Sequence, residues 1–262
     1  MTKTRKSVVY TAIVGDYDYL RPVPKGLTGI DFICFTDGSV SEKHCERKGW
    51  FLRKLPQGAG SSRKGCRQLK SMPQKYLSEY EVSIWLDSNV SFNGTISELV
   101  DNFKSSEALV RGFHHPVRAC AYLEAEECIT QRKDSEVNLN SMIRQMRLSG
   151  FPANYGLTET NVLFRKHNNR YIKKLDEDWN YFLNELTIRD QISFDYLCWK
   201  HGIDVWYFEG STHRNEHPVF SRGLHRSENK LKDAFAYAES FQGVYPSLRR
   251  VINFFYSMRS NA

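Results

Sequence analysis

The run Ile84-Trp85-Leu86-Asp87-Ser88-Asn89 delivers a carboxylate, and two residues later an amide oxygen, to the end of a short apolar stretch. Oxygen ligands grouped on one edge suit a hard divalent cation, Mg2+ or Mn2+, which keeps positions open for phosphate oxygens. An Asp at a strand end serves equally well as a turn residue. Four other stretches carry groups that could join such a site. Tyr10–Tyr19 (YTAIVGDYDY) holds Asp16, Asp18 and tyrosines able to stack on a base. Arg67 and Lys70 lie three apart, on one face of a helix. Gly156–Arg165 (GLTETNVLFR) places Glu159 and Asn161 just before an expected strand. Arg189-Asp190-Gln191 opens a helix, where the dipole favours a carboxylate and where Asp190 could also be a plain cap.

The elements that must position these groups follow from hydrophobic patterning. Short β-branched or aromatic runs predict strands over 8–14, 31–37, 49–55, 82–87, 108–114, 161–165 and 203–208. Helical spacing predicts helices over 61–80, broken near Pro73, and over 95–103, with Thr95 as its cap. Further helices are expected over 120–133, 136–149, 171–186, 187–201, 231–241 and 248–258. Alternation of strands and helices implies an α/β domain with a mostly parallel sheet. Ligands bind such sheets beyond the carboxyl ends of the strands. Asp16, Asp37 and Asp87 are all expected at those ends.

Composition excludes several classes. The 262 residues are 40% hydrophobic and 13% aromatic, enough for a sizeable core and too apolar for a disordered chain. No apolar run approaches the roughly 20 residues of a membrane-spanning helix. The basic start leads into a strand-like segment rather than a signal peptide, so a cytoplasmic protein is expected. Six cysteines show no C-x-x-C spacing, and a reducing compartment fits. The net charge of +7 is concentrated: residues 43–75 hold ten Lys or Arg and a single acid, Glu46. Such a block meets phosphate somewhere, or forms a solvated basic face.

The logic of Asp87-Ser88-Asn89 is that of the Asp-x-Asp element of nucleotide-sugar transferases, with a weaker neutral ligand at the second position. A haloacid-dehalogenase-type phosphatase would need an acid there as proton donor, which Asn89 cannot supply. The chain resembles a glycosyltransferase-like family long labelled a domain of unknown function. Its members include plant Golgi proteins linked to seed mucilage and bacterial proteins encoded among cell-surface polysaccharide genes. The resemblance rests on VVYTAIVGDYD (8–18), DFICFTD (31–37), the Arg67/Lys70 and Pro73 stretch and SIWLDSNV (83–90). It continues through His115-Pro116, 124–134, GFP (150–152), GLTETNVLFRKHN (156–168) and RDQISF (189–194), covering roughly Val8 to Gly202.

The resemblance implies one α/β/α sandwich of the glycosyltransferase type A (nucleotide-diphospho-sugar transferase) fold. It implies a catalytic domain over 1–210 and a C-terminal extension over 211–262 that completes the site. Thr11, Ala12, Asp16 and Tyr17 would lie near the nucleoside, and Arg67 and Lys70 near the ribose or phosphates. Asn161 and Gln191 would complete the donor contacts. Asp87, Asn89 and a late histidine would hold Mn2+ or Mg2+, with His225 favoured over His213 and His217. Asp190 and Glu159 would be the catalytic carboxylates. The implied activity is hexosyl transfer from a nucleotide-sugar donor, UDP-linked, to a glycan or lipid-linked glycan acceptor. A catalytically inactive nucleotide-sugar or glycan binder is the alternative. Nucleic acid is not expected as a partner, because the basic block carries few aromatics and no RNA-recognition signature. The stretch 246–262 pairs basic and aromatic residues, which suits peripheral contact with an anionic membrane, but a helix packed on the domain with a polar outer face is the favoured expectation there.

Overall fold

Val8, Val9, Tyr10 and Thr11 are all buried, because strand β1 (Ser7–Ile13) lies in the middle of a sheet covered on both faces. A computed structural model describes residues 6–15, 17–56 and 63–260; Asp16 lies outside them. The other strands of the main sheet are β2 (Ile30–Thr36), β3 (Phe51–Lys54), β4 (Val82–Leu86), β6 (Val110–His114), β7 (Thr158–Arg165) and β8 (Val205–Phe208). Their order is β3-β2-β1-β4-β7-β6-β8. All neighbours are parallel except β7, which runs antiparallel to both β4 and β6. The fold is therefore mixed α/β with a mostly parallel sheet, as the alternation of elements implies.

Two apolar layers flank the sheet. One packs β-strand residues such as Tyr10 and Trp85 against helices α2 (Arg63–Ser71), α5 (Ala121–Thr130), α6 (Glu136–Leu148), α7 (Arg170–Glu185) and α8 (Asp190–Lys200). The other packs Val9, Ile84 and Phe164 against helix α4 (Ile96–Ser105) and a two-stranded ribbon, β5 (Val90–Phe92) and β9 (Phe220–Arg222). Helices α1 (Glu42–Arg47) and α3 (Pro73–Tyr76) are short, and α9 (Lys230–Glu239) and α10 (Pro246–Ser260) follow the ribbon.

Three differences from the sequence reading bear on the site. Strand β7 begins at Thr158, so Glu159 and Asn161 sit on the strand rather than before it. Their polarity hid the strand, yet each is buried with a partner distant in sequence. Helix α8 begins at Asp190 rather than Thr187, because Asp134 Oδ2 accepts from both Thr187 Oγ1 (2.7 Å) and the Ile188 amide (2.8 Å). Thr95 precedes α4 without a side-chain capping bond; Asn93 Oδ1 instead accepts from the Thr95 amide at 3.0 Å. The ribbon and α1 were not legible from periodicity, being only three to six residues long.

The ribbon matters because it draws the tail beneath the end of β4. Gly223 donates its amide to Asn89 O at 2.8 Å, and Asn89 Nδ2 donates to Gly223 O at 3.0 Å. Gly243, between α9 and α10, lies directly on the backbone of Phe92, where an added Cβ would collide with the Phe92 carbonyl. Gly243→Ala is expected to cost about 1–3 kcal/mol by forcing the tail off β5. Denaturant melts would show it; an unchanged midpoint would mean the tail is not anchored there.

Candidate active site

Parallel strands β1 and β4 end at one edge of the sheet, and β7, running the other way, begins there. Its first residues therefore extend past Asp87, whose amide donates to Asn161 O at 2.8 Å. A cleft of about 660 Å³ opens at this edge, within the range of small-molecule sites. Of the residues singled out from sequence, it brings together Ala12, Tyr17, Asp18, Arg67, Lys70, Asp87, Glu159, Asn161, Arg189, Asp190, Gln191, His213 and His225.

Its centre is Lys70, almost fully buried at 4% exposure. The ammonium donates to Asp190 Oδ2 (2.5 Å), Thr160 Oγ1 (3.1 Å) and Asp87 Oδ1 (3.3 Å). Thr160 also donates to Asp190 Oδ2 at 2.9 Å, and Trp85 Nε1 donates to Asp87 Oδ1 at 2.6 Å. Burial alone would raise the pKa of Asp190. The Lys70 and Arg67 charges and the Lys70 hydrogen bond outweigh it and hold the carboxyl well below its usual range. Lys70 is positioned from behind: Arg165, fully buried, donates to Lys70 O and to Tyr10 Oη (2.9 Å), and pairs with Asp176 at 2.7 Å.

Glu159 behaves in the opposite way. Burial pushes it up to about 7, against a hydrogen bond from Thr212 Oγ1 (3.0 Å) and the nearby Arg222 charge. Asn161 Nδ2 donates to the same threonine at 2.6 Å, and Asn161 Oδ1 is buried with no partner among the described residues. Arg67 Nε is likewise buried without a partner there. Cys66 also lines the cleft, but burial pushes its thiol up to about 11, which leaves it a poor nucleophile.

Other expected residues stand apart from the cleft. Thr11 is buried behind it, beside Leu20, Trp50 and Leu86. Asp37 is a turn residue, accepting from the Gly15 and Ser39 amides. His217 is a core histidine, stacked on Phe220 and edge-on to Phe113, with Nδ1 accepting from the Val219 and Phe220 amides. Burial holds it down at about 4. The basic block is dispersed rather than continuous: Arg67 and Lys70 face the cleft, Arg53 pairs with Glu79, and Lys48 lies 3.7 Å over the Phe241 ring. Trp50 is buried, its Nε1 donating to Arg21 O.

The metal question turns on Asp87, Asn89 and His225. Among the described residues no three His, Cys, Asp or Glu side chains gather tightly enough to hold an ion. Asn89 does not line the cleft, yet its Nδ2 lies 3.4 Å from His225 Nε2. His225 Nδ1 faces buried Asp18 Oδ1 at 2.8 Å, and Ser88 Oγ donates to the other Asp18 oxygen. A carboxylate on Nδ1 fixes the tautomer that leaves Nε2 as a donor atom, the usual outer support of a metal-binding histidine. Carboxylate and imidazole are ligand types that suit a divalent ion, but Asn89 turns Nδ2, held by Gly223 O, and not its oxygen toward His225. Tyr17, ring to ring with His225 at 4.7 Å, covers this corner.

No protein-family description and no curated protein sequence matches the chain. Solved structures do resemble it. Mouse xyloside xylosyltransferase 1 aligns over 78% of this chain and 84% of its own, at 10% identity and a TM-score of 0.45. The bifunctional glycosyltransferase WbbM aligns over 91% of this chain, at 10% identity and a TM-score of 0.49. Only 45% of WbbM is covered, so the chain spans about half its length. A glycosyltransferase involved in glycosylation of the major capsid of PBCV-1 aligns over 88% of this chain and 99% of its own, at 13% identity and a TM-score of 0.45.

Sequence reasoning missed Asp18 as a partner of His225, Thr160 and Thr212 as hydrogen-bonding supports, and Arg222 at the rim. No local pattern could have found them: Asp18 and His225 are 207 positions apart, and Asn161 and Thr212 are 51 apart.

Proposed function

We propose that the chain is a glycosyltransferase of the type A fold, a member of the family it resembles. It would move a sugar from a UDP-linked donor to a glycan or lipid-linked glycan in cell-surface polysaccharide synthesis. The observation that carries this is Lys70 held between Asp87 and Asp190, with Arg67 beside it, at the carboxyl ends of β1 and β4. Open α/β sheets bind nucleotides at such an edge. Tyr17 and Ala12 would meet the nucleoside, and the Arg67 guanidinium the diphosphate. Asp87 and His225 would hold Mn2+ or Mg2+, with Asn89 joining them only if its amide turned over, and the ion would supply neutralisation of charge on the departing diphosphate.

In the transfer, the bond from the anomeric carbon to the diphosphate oxygen breaks and its electron pair leaves with the nucleotide. The acceptor hydroxyl oxygen bonds to that carbon and its proton goes to a carboxylate. Glu159, with a pKa of about 7, is the better base of the two candidates. Asp190, held ionised, is suited to orienting the acceptor and stabilising positive charge on the sugar. Residues 211–262 are an extension completing the site, a reading supported by Thr212, Arg222 and His225. No helix among the described residues is long and apolar enough to cross a membrane. Exposed Val251 and Phe254 on α10 support peripheral contact with a membrane carrying the acceptor.

Asp87→Ala is expected to abolish turnover with the circular dichroism spectrum unchanged, since its carboxylate is 41% exposed. Asp190→Asn is expected to lose far more kcat than donor affinity. Normal turnover in the first variant, or equal losses in the second, would remove these roles.

A further inference from the structure

The cleft has a second charged half, away from the residues assigned above to the donor. The nucleotide side lies above β1, with Arg67 and Tyr17. Across β4 and β7 lies the end of β6, about 14 Å away at three strand spacings of roughly 4.8 Å. There the cleft is lined by His115, Arg118, Glu124, Lys133 and Arg189. Glu124 is the one carboxylate of the group and is buried, at 2% exposure. It is already shared: Arg118 Nε donates to it at 2.5 Å, Arg189 stands 4.0 Å away and His115 3.9 Å.

Lys133 forms no side-chain hydrogen bond or ion pair among the described residues. Arg189 Nε is buried without a partner there. A buried donor left unpaired is costly and calls for an acceptor. Three cations, Lys133 exposed and the two arginines half-buried, therefore outnumber one satisfied carboxylate along this side of the cleft, and a cleft lined by one sign of charge concentrates anions. Burial, offset only in part by Glu124, and the neighbouring cations keep His115 below the ordinary imidazole range, so it adds little positive charge at neutral pH. Glu159, Thr160 and Asp190 lie between the two halves, so a group bound here sits on the acceptor side of the chemistry.

We propose that the Arg118–Lys133–Arg189 half of the cleft binds an oxyanion, phosphate or carboxylate, carried by the acceptor sugar. The proposal rests on the glycosyltransferase reading for the word acceptor, and on the cation cluster alone for the anion. An arginine fork and a free ammonium match either oxyanion.

The test is calorimetry on the full chain with saturating UDP present. The probes are glucose 6-phosphate, methyl glucuronide and neutral methyl glucoside. The two anionic sugars are expected to bind at least tenfold more tightly than the neutral one. That advantage should shrink below threefold in Lys133→Ala, and should weaken with added salt. The tighter of the two names the oxyanion. Equal binding of charged and neutral sugars would overturn the proposal. So would displacement of the anionic sugars by UDP, which would assign these cations to the donor phosphates. UDP is titrated alone in parallel. Absence of UDP binding with the anionic preference intact would contradict the proposed donor and leave the anion site standing.

Discussion

Lys70→Met is expected to lose at least about 100-fold in turnover and to destabilise the protein by about 3–5 kcal/mol. The reason is that one ammonium serves two carboxylates. Asp190, at 15% side-chain exposure, depends on it to stay ionised. The attraction between Lys70 and Asp87 is worth less, because water screens a carboxylate that is 41% exposed. Removing the lysine leaves a buried charge unpaired, whose penalty exceeds the worth of the pair itself. For a chain of this size the melting temperature should fall by roughly 10 °C. Adding Asp190→Asn removes the orphaned charge, so the double variant should recover much of the stability and none of the turnover. A double variant as unstable as Lys70→Met would show that Lys70 supports the fold through packing rather than through charge.

The second large effect is expected at Glu159. If it is the base, kcat rises with pH through about 7 and is level above, and Glu159→Gln loses that limb together with about 100- to 10,000-fold in rate. Stability moves the other way. Burial raises the native pKa from an ordinary 4.5 to about 7, so the native state holds this proton more tightly than the unfolded chain. The resulting stabilisation is fully present below 4.5 and is lost as pH rises through 7, a swing on the order of 3 kcal/mol. Gln cannot ionise, so the variant should gain on the wild type between pH 5 and pH 8. Melting temperatures at the two pH values check the sign; a difference that is the same at both would place the Glu159 carboxyl in contact with water.

Strands β1, β2 and β4 were legible because central parallel strands are apolar on both faces, so their runs stand out in the sequence. The end of β4 marked Asp87 for the same reason. Strand β7 was read short because Thr158, Glu159 and Thr160 look like a loop. Their partners, Asp195 on α8, Thr212 in the loop before β9 and Lys70 on α2, come from three distant segments. The late histidines show the same limit. His213 and His225 reach the cleft while His217 fills an aromatic cage, and only the β5–β9 ribbon decides which does which. The charge block was visible as a sum, but its split between cleft, ion pairs and ring contacts depends on where α2 and β3 sit.

The central claim is that this edge of the sheet binds and cleaves a nucleotide sugar. Release of free nucleotide from a panel of UDP-, GDP-, CMP- and dTDP-sugars tests it most directly, with Mn2+, with Mg2+ and with chelator, and with Asp87→Ala alongside. The predicted result is UDP release by the wild type that is lost in the variant. No release and no binding of any nucleotide sugar would contradict the claim.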